Sequence, residues 1–231
     1  MLYVRNLRVG YDQFVLKADF SFEEGSLVSI LGPSGAGKTT LINSIAGFLK
    51  INSGSIRWKK EDITKLPPGE RPVSILFQDY NFFSHLTVEK NVSIGIKPDL
   101  RLNSIEREKV FQAIKKVGLN KYTNKKPSEL SGGQRTRIAL ARVIVRSKPL
   151  LLLDEAFLGL EPALRLEMLE LIMEMAYKEN ITLLMITHDV KDAIKLNQQI
   201  IFVNEGKVNC PIHISKFLNS SDDKIRKYLG R

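Results

Sequence analysis

The stretch Gly32-Pro33-Ser34-Gly35-Ala36-Gly37-Lys38-Thr39 constrains this chain more than any other. It satisfies G-x-x-x-x-G-K-[ST] in the context the pattern requires. Before it, Val28–Leu31 has apolar residues without strict alternation, as in a central strand covered on both faces. After it, Leu41, Ile42, Ile45 and Phe48 recur at helical spacing through Thr39–Phe48. A strand, a glycine-rich turn and a helix in that order make an anion cradle. Glycines let successive N–H groups point at phosphate oxygens, and the helix start adds partial positive charge. Lys38 neutralises β/γ-phosphates, and the Thr39 hydroxyl is a hard-oxygen ligand for Mg²⁺. The motif predicts nucleotide binding on an α/β fold.

Bulk properties set the boundaries around this motif. The 231 residues, 43% hydrophobic, suffice for one sizeable core and a smaller appendage. The longest apolar stretches, Leu27–Leu31, Leu150–Leu153 and Ile181–Ile186, fall far short of the roughly 20 residues of a membrane-spanning helix. The first residues lack a signal-peptide layout, and the single cysteine, Cys210, excludes an internal disulfide, so a reducing compartment is expected. Residues 101–148 carry 13 Lys/Arg against 3 Glu, which equals the net charge of +10 for the whole chain. This excess reads as a solvated helical face. An anionic membrane surface, met by Lys115, Lys116, Lys125 and Lys126, and nucleic acid are the sharper alternatives.

Short strand-like runs at Leu2–Val4, Phe14–Phe22 and Ser26–Leu31 open the chain, and strands return at Leu150–Leu153 and Leu183–Ile186. From Asn81 to Lys148 the pattern is helical. Asn103 and Glu106 form a capping box, Val110, Phe111, Ile114 and Val117 an apolar stripe, and Gly118 a stop. Ser131 can cap a new helix beginning near Gln134. A helix opened by Pro162 carries Leu164, Met168, Leu171, Ile172 and Met175 on one face, and Asn204-Glu205-Gly206 turns a final hairpin. The expected division is 1–80 with 149–210 as a core, 81–148 as a helical insertion, and 211–231 as a short helical tail.

Two further constellations carry chemistry. Asp154 and Glu155 end an apolar strand, where open α/β sheets bind ligands. There Asp154 can hold Mg²⁺, and Glu155 can orient or deprotonate a hydrolytic water. Leu130-Ser131-Gly132-Gly133-Gln134 opens a second helix with a second anion site, more than one nucleotide needs from one chain.

These residues, in this order, resemble the ABC-type ATPases. Gly32–Thr40 matches their Walker A segment, Leu130–Gln134 their signature, and Asp154 and Glu155 their Walker B aspartate and catalytic glutamate. Tyr11 resembles the aromatic that stacks on adenine, Gln78 the Q-loop glutamine that reaches the metal, Leu160-Glu161 the D-loop, and His188 the switch histidine. Ala156, Glu161 and Thr136 depart from the common pattern.

The resemblance implies a P-loop NTPase cassette with a parallel RecA-like core, an antiparallel β subdomain and an inserted α-helical subdomain. It implies ATP and Mg²⁺ as cofactors. Two cassettes pair head to tail, so that Ser131, Gly132, Gly133 and Gln134 of one meet the nucleotide on Walker A of the other. It implies permease subunits that seat on a groove near Phe82, Phe83 and Leu86, and a solute-binding protein reached through the complex. Nucleic acid is not among the implied partners, and the implied place is the cytoplasmic face of the inner membrane.

At finer grain, Arg71–Gln78, Phe83–Val88 and Pro162–Arg165 resemble the ATPase subunits of bacterial thiamine importers. Ferric iron and polyamine import are alternative cargoes, and a soluble, non-transport ABC ATPase is the alternative of another class. No room is expected after the last hairpin for an appended regulatory β domain.

Overall fold

The computed structural model describes residues 1–11, 14–196 and 198–231, with the side chain of Tyr11 outside the description. In chain order the strands are β1 (Leu2–Tyr11), β2 (Phe14–Phe22), β3 (Leu27–Leu31), β4 (Ser53–Trp58), β5 (Glu61–Asp62) and β6 (Val73–Phe77). They continue with β7 (Leu150–Asp154), β8 (Thr182–Ile186), β9 (Gln199–Asn204), β10 (Lys207–Val208) and β11 (Ile212–His213). The helices are α1 (Lys38–Ala46), α2 (Val88–Ser93), α3 (Ser104–Lys116), α4 (Gly132–Val145), α5 (Pro162–Glu179), α6 (Val190–Leu196), α7 (Ile214–Leu218) and α8 (Asp223–Tyr228). The chain forms two compact units. One holds Met1–Val73, Pro149–Glu155 and Met175–Arg231, the other Ser74–Lys148 and Ala156–Glu174. Among the described residues no helix is both long and apolar enough to cross a membrane.

In the first unit the strand order is β5-β4-β1-β2-β10-β9-β3-β8-β7, with β11 on β9. The parallel part is β9-β3-β8-β7, and every residue of β3 and β8 is buried. Such strands are predominantly apolar on both faces, with only Ser29 and Thr182 polar here, which is why they show no alternation. The antiparallel part behaves differently. In β2 the buried residues Leu16, Ala18, Phe20 and Phe22 alternate with polar ones, so one face looks to solvent. β1 runs well beyond Leu2–Val4. A shift of register between Val4 and Leu7 resets the phase, so Leu2 and Val4 and then Leu7 and Val9 all point inward. Asn6, in the shifted stretch at φ 46°, donates its N–H to the Asp19 carboxylate.

α1 ends at Gly47, whose φ of 89° suits an αL cap. Its last turn has no basic residue of its own. The buried Arg71 supplies the missing charge, donating to the carbonyls of Ser44 and Ile45 and also to those of Thr64 and Leu66. A Cβ on Gly47 would meet the Arg71 guanidinium at 2.5 Å, so the glycine makes room for the brace. Phe48 falls beyond this cap and is exposed rather than part of the apolar stripe.

The C-terminal helices α7 and α8 are not a loose tail. Phe217, Ile214 and Ile225 pack with Leu31, Ile200 and Phe202 in one cluster, the Phe202 and Phe217 rings 5.7 Å apart. Burying each such side chain contributes roughly 1.5–3 kcal/mol, so the end of the chain supports the strand that leads into the phosphate loop.

In the second unit α3 carries the capping box expected at Asn103 and Glu106. Phe111 is exposed, whereas Val110, Ile114 and Val117 are buried. Lys115, Lys116, Lys125 and Lys126 are all exposed. α4 starts two residues before Gln134, because Gln134 completes a capping box. Its N–H donates to the Ser131 hydroxyl, while its side-chain oxygen accepts from the Ser131 N–H.

Candidate functional site

The first unit brings together Gly32–Thr40, Asp154, Glu155 and His188. β3 delivers the loop and α1 continues from it, with Gly37 at the helix N-cap. Glycine has no side chain with which to cap, so the first N–H groups of α1 stay available to an anion. Two glycines are sterically required. Gly32 lies at φ 152°, and a Cβ there would meet the Val203 carbonyl oxygen at 2.0 Å. Gly37 lies at φ 107°, and its Cβ would strike the rings and methyls of Phe14 and Leu16. The β9–β10 hairpin secures the other side. Its turn residues Glu205 and Gly206 both have positive φ, as a two-residue hairpin turn demands, and the Gly206 N–H donates to the Ala36 carbonyl.

Lys38 is almost fully buried, and its ammonium donates to the carbonyls of Gly32 and Pro33 at 2.9 Å each. Burial pushes its pKa below the ordinary lysine value, with Glu155 and Asp154 opposing the shift. The Thr39 hydroxyl donates to Asp154 Oδ1 at 3.2 Å. Burial raises the Asp154 carboxyl above the usual range and neighbouring Glu155 adds to this. The Thr39 hydrogen bond and Lys38 pull the other way. His188 Nε2 lies 2.7 Å from Glu155 Oε1. The loop after β8 is tied by Thr187, whose hydroxyl donates to Asp192 and accepts from the Asp189 N–H. Glu155 has φ 51°, uncommon for a residue with a long side chain. A cavity of about 290 Å³ is lined by Ser34, Lys38, Thr39, Thr40, Glu155 and Phe14 among others. Phe14 is a member that the sequence showed only as a strand residue. The expected adenine-stacking side chain, Tyr11, lies outside the described residues.

The second unit holds the remaining candidates. Gln78 follows β6 in an exposed turn. Ser131, Gly132, Gly133 and Gln134 line a cavity of about 710 Å³ with Tyr122 and Glu161. The two glycines differ. A Cβ on Gly133 would meet the end of the Leu164 side chain at 2.6 Å, whereas among the described residues nothing lies within 4 Å of a Cβ on Gly132. The segment after Gln78 is heavily braced. Arg142 donates to the Asn81 carbonyl and to both the backbone and side-chain oxygens of Asn91. It also lies about 6 Å from the rings of Phe82 and Phe83. Phe83 itself is exposed.

Comparison with known proteins shows the family to which the chain belongs. The ABC transporter family profile matches residues 15–158. The chain is 44% identical over 230 residues, and over the full length of both, to a thiamine import ATP-binding protein of a Ruegeria species. It is 45% identical over 213 residues to the protein of the same name in Photobacterium profundum, covering 92% of this chain and 88% of that one. Among solved structures, the ADP conformation of MJ1267, an ATP-binding cassette of an ABC transporter, superposes with a TM-score of 0.89 at 25% identity, covering 99% and 98% of the two chains. The dimeric post-hydrolysis state of the cassette MJ0796, bound to ADP and Pi, gives 0.79 at 26% identity, covering 93% and 99%. The chain belongs to the ABC transporter family, as an ATP-binding subunit.

Proposed function

We propose that this chain hydrolyses ATP to drive import of thiamine and its phosphates through a membrane permease, working as a head-to-tail homodimer. The observation that carries the chemical part is the Glu155–His188 contact of 2.7 Å in the unit that holds Lys38 and the phosphate loop. The cargo rests on full-length similarity to proteins that bear that name.

Phosphoryl transfer to water needs little covalent help from a protein, so positioning and charge stabilisation dominate. The α1 N-terminus and Lys38 hold the β- and γ-phosphates. Glu155 orients the attacking water and accepts its proton, while His188 holds the Glu155 carboxylate and faces the γ-phosphate. The residues fit a magnesium ion. Thr39 and Asp154 present hard oxygens to each other, and Mg²⁺ binds through one or two such groups plus phosphate and water. When bound it neutralises charge on the phosphates, with Gln78 as a further contact. Tyr11 stacks on the adenine.

Ser131, Gly132, Gly133 and Gln134 meet the nucleotide of the partner subunit. Gly132 favours this reading, because no contact among the described residues demands a glycine there. ATP then binds the closed dimer better than the open one and shifts that equilibrium. Two permease subunits and a solute-binding protein complete the importer and hold the chain at the cytoplasmic face of the membrane.

Glu155→Gln tests the chemistry. It is expected to lower turnover by roughly 10²-fold or more while still binding ATP and accumulating as a dimer in light scattering; unchanged steady-state hydrolysis removes Glu155 from its role. ATPase stimulation in the reconstituted complex, compared across thiamine, its phosphates, ferric iron and polyamines, tests the cargo.

A further inference from the structure

A single hydroxyl in the second unit joins three segments that the site chemistry uses separately. Tyr80 sits two residues after Gln78 in the chain. Its hydroxyl donates to the backbone carbonyl of Ala156 at 2.7 Å and accepts from the Thr136 hydroxyl at 3.0 Å. Ala156 is the residue bonded directly to Glu155, and Thr136 is in the first turns of the helix that Ser131 caps. Both are almost fully buried, and burial raises the Tyr80 pKa, so the phenol is the species present at neutral pH.

The backbone around this bond is unusual in the same sense. Tyr80 and Asn81 have φ of 54° and 44°, and Glu155 has φ of 51°. Side-chain-bearing residues persist in this region only where their surroundings hold them. The bond from Tyr80 grips a segment left-handed at its donor end and reaches the peptide that follows the left-handed Glu155. Ring packing of Tyr80 on Phe82, at 5.5 Å between centroids, fixes the direction of the hydroxyl. Arg142 and Asn91 brace the loop behind it. Asn91, fully buried, donates to the carbonyls of Phe83, Leu86 and Thr87.

We infer that Tyr80 is a positioning residue for ATP hydrolysis, with its hydroxyl coupling the segment after Gln78 both to the backbone carrying Glu155 and to the signature helix. This rests on the assignment of Glu155 as the group that activates water. A displacement of the Gln78 segment cannot leave the Ala156 carbonyl behind without breaking a buried hydrogen bond, and an unpaired buried polar group is costly. The Thr136 hydroxyl, by contrast, can turn to the Gly132 carbonyl, 3.2 Å away. Neither bond touches Gly32–Thr40, so the expected effect falls on turnover more than on the KM for ATP.

The experiment compares full-length wild type, Tyr80→Phe, Thr136→Val, the double variant and Glu155→Gln, each measured for kcat, KM for ATP and melting temperature. Tyr80→Phe keeps the ring packing and removes only the bond. The expected result is a kcat about tenfold lower, a KM for ATP within twofold of wild type, and a double variant no slower than Tyr80→Phe, because both changes cut one chain of hydrogen bonds. If Tyr80→Phe does not fold, Thr136→Val carries the same expectation, with a smaller drop in kcat at unchanged KM. A kcat within twofold of wild type in a folded Tyr80→Phe, or a loss explained by KM, overturns the inference. Glu155→Gln keeps the two readings apart. If it alone abolishes turnover, the coupling role fails and Glu155 stands; if it retains turnover, the Glu155 assignment fails instead.

Discussion

Asp154 shows what the site costs its own chain. Its carboxyl is raised because burial and the neighbouring Glu155 disfavour the charged form more than Thr39 and Lys38 favour it. The folded protein therefore holds this proton more tightly than the unfolded chain does. Above the folded pKa the ionised group opposes folding in full, and the penalty fades as pH falls toward the ordinary carboxylate range. Asp154→Asn removes the penalty. Without nucleotide or magnesium, the variant is expected to melt higher than wild type at pH 8. The gap should narrow as pH falls toward 5, and turnover should collapse. Thermal melts at the two pH values with a parallel ATPase assay check this. A residue that weakens the fold while serving chemistry is the expected form of the stability–function trade-off. At this scale most of the site was legible. Gly32–Thr39, Asp154–Glu155 and His188 are read from spacing or resemblance because their chemistry demands particular residue types in sequence order. Tyr80 and Phe14 were not, since a tyrosine in a turn and a phenylalanine in a strand acquire meaning only from what they touch.

Elements were legible where burial wrote an unmixed pattern. β3, β7 and β8 are buried along nearly their whole length and are apolar apart from Ser29, Asp154 and Thr182, so they show no alternation. The second half of β1 was missed because its bulge breaks the alternation, and β4 because only Ile56 and Trp58 of its residues are buried. Phe48 and Phe111 were assigned to apolar stripes and are exposed, Phe48 because Gly47 ends the helix first and Phe111 because it lies one position around the turn from Val110. Helix caps allow a controlled comparison at this scale. Asn103 on α3 and Ser131 on α4 close the same kind of capping box. Asn103→Ala and Ser131→Ala should each cost about 1 kcal/mol and lower the melting temperature alike. ATP turnover should survive the first and fall by at least tenfold in the second. Equal turnover in both would reduce Ser131 to a cap.

For the whole molecule, the division of the site residues between two units is the main fact. One unit has the phosphate loop, Glu155 and His188, and the other has Gln78 and the signature segment. On the proposed function, in which Ser131–Gln134 serve a partner's nucleotide, hydrolysis is a property of the assembly. ATPase activity per chain is expected to rise with protein concentration until the dimer is populated, then level off, by mass action. Sedimentation at the same concentrations checks that the rise follows dimer formation. None of this assembly logic could be read from hydrophobic periodicity, which reports what a chain buries within itself.

The N-terminus of α1 has a consequence outside transport. By placing glycine where a serine or aspartate would have closed the helix, the chain leaves part of its folding stability to a metabolite. A ligand that binds only the folded form stabilises it by an amount that grows with the logarithm of its concentration. A nucleotide bound at this helix start would therefore raise the folding stability of the subunit. Any nucleotide that fits the cradle, ADP included, would count toward that stabilisation, so emptying the site rather than spending the ATP is what would expose the fold.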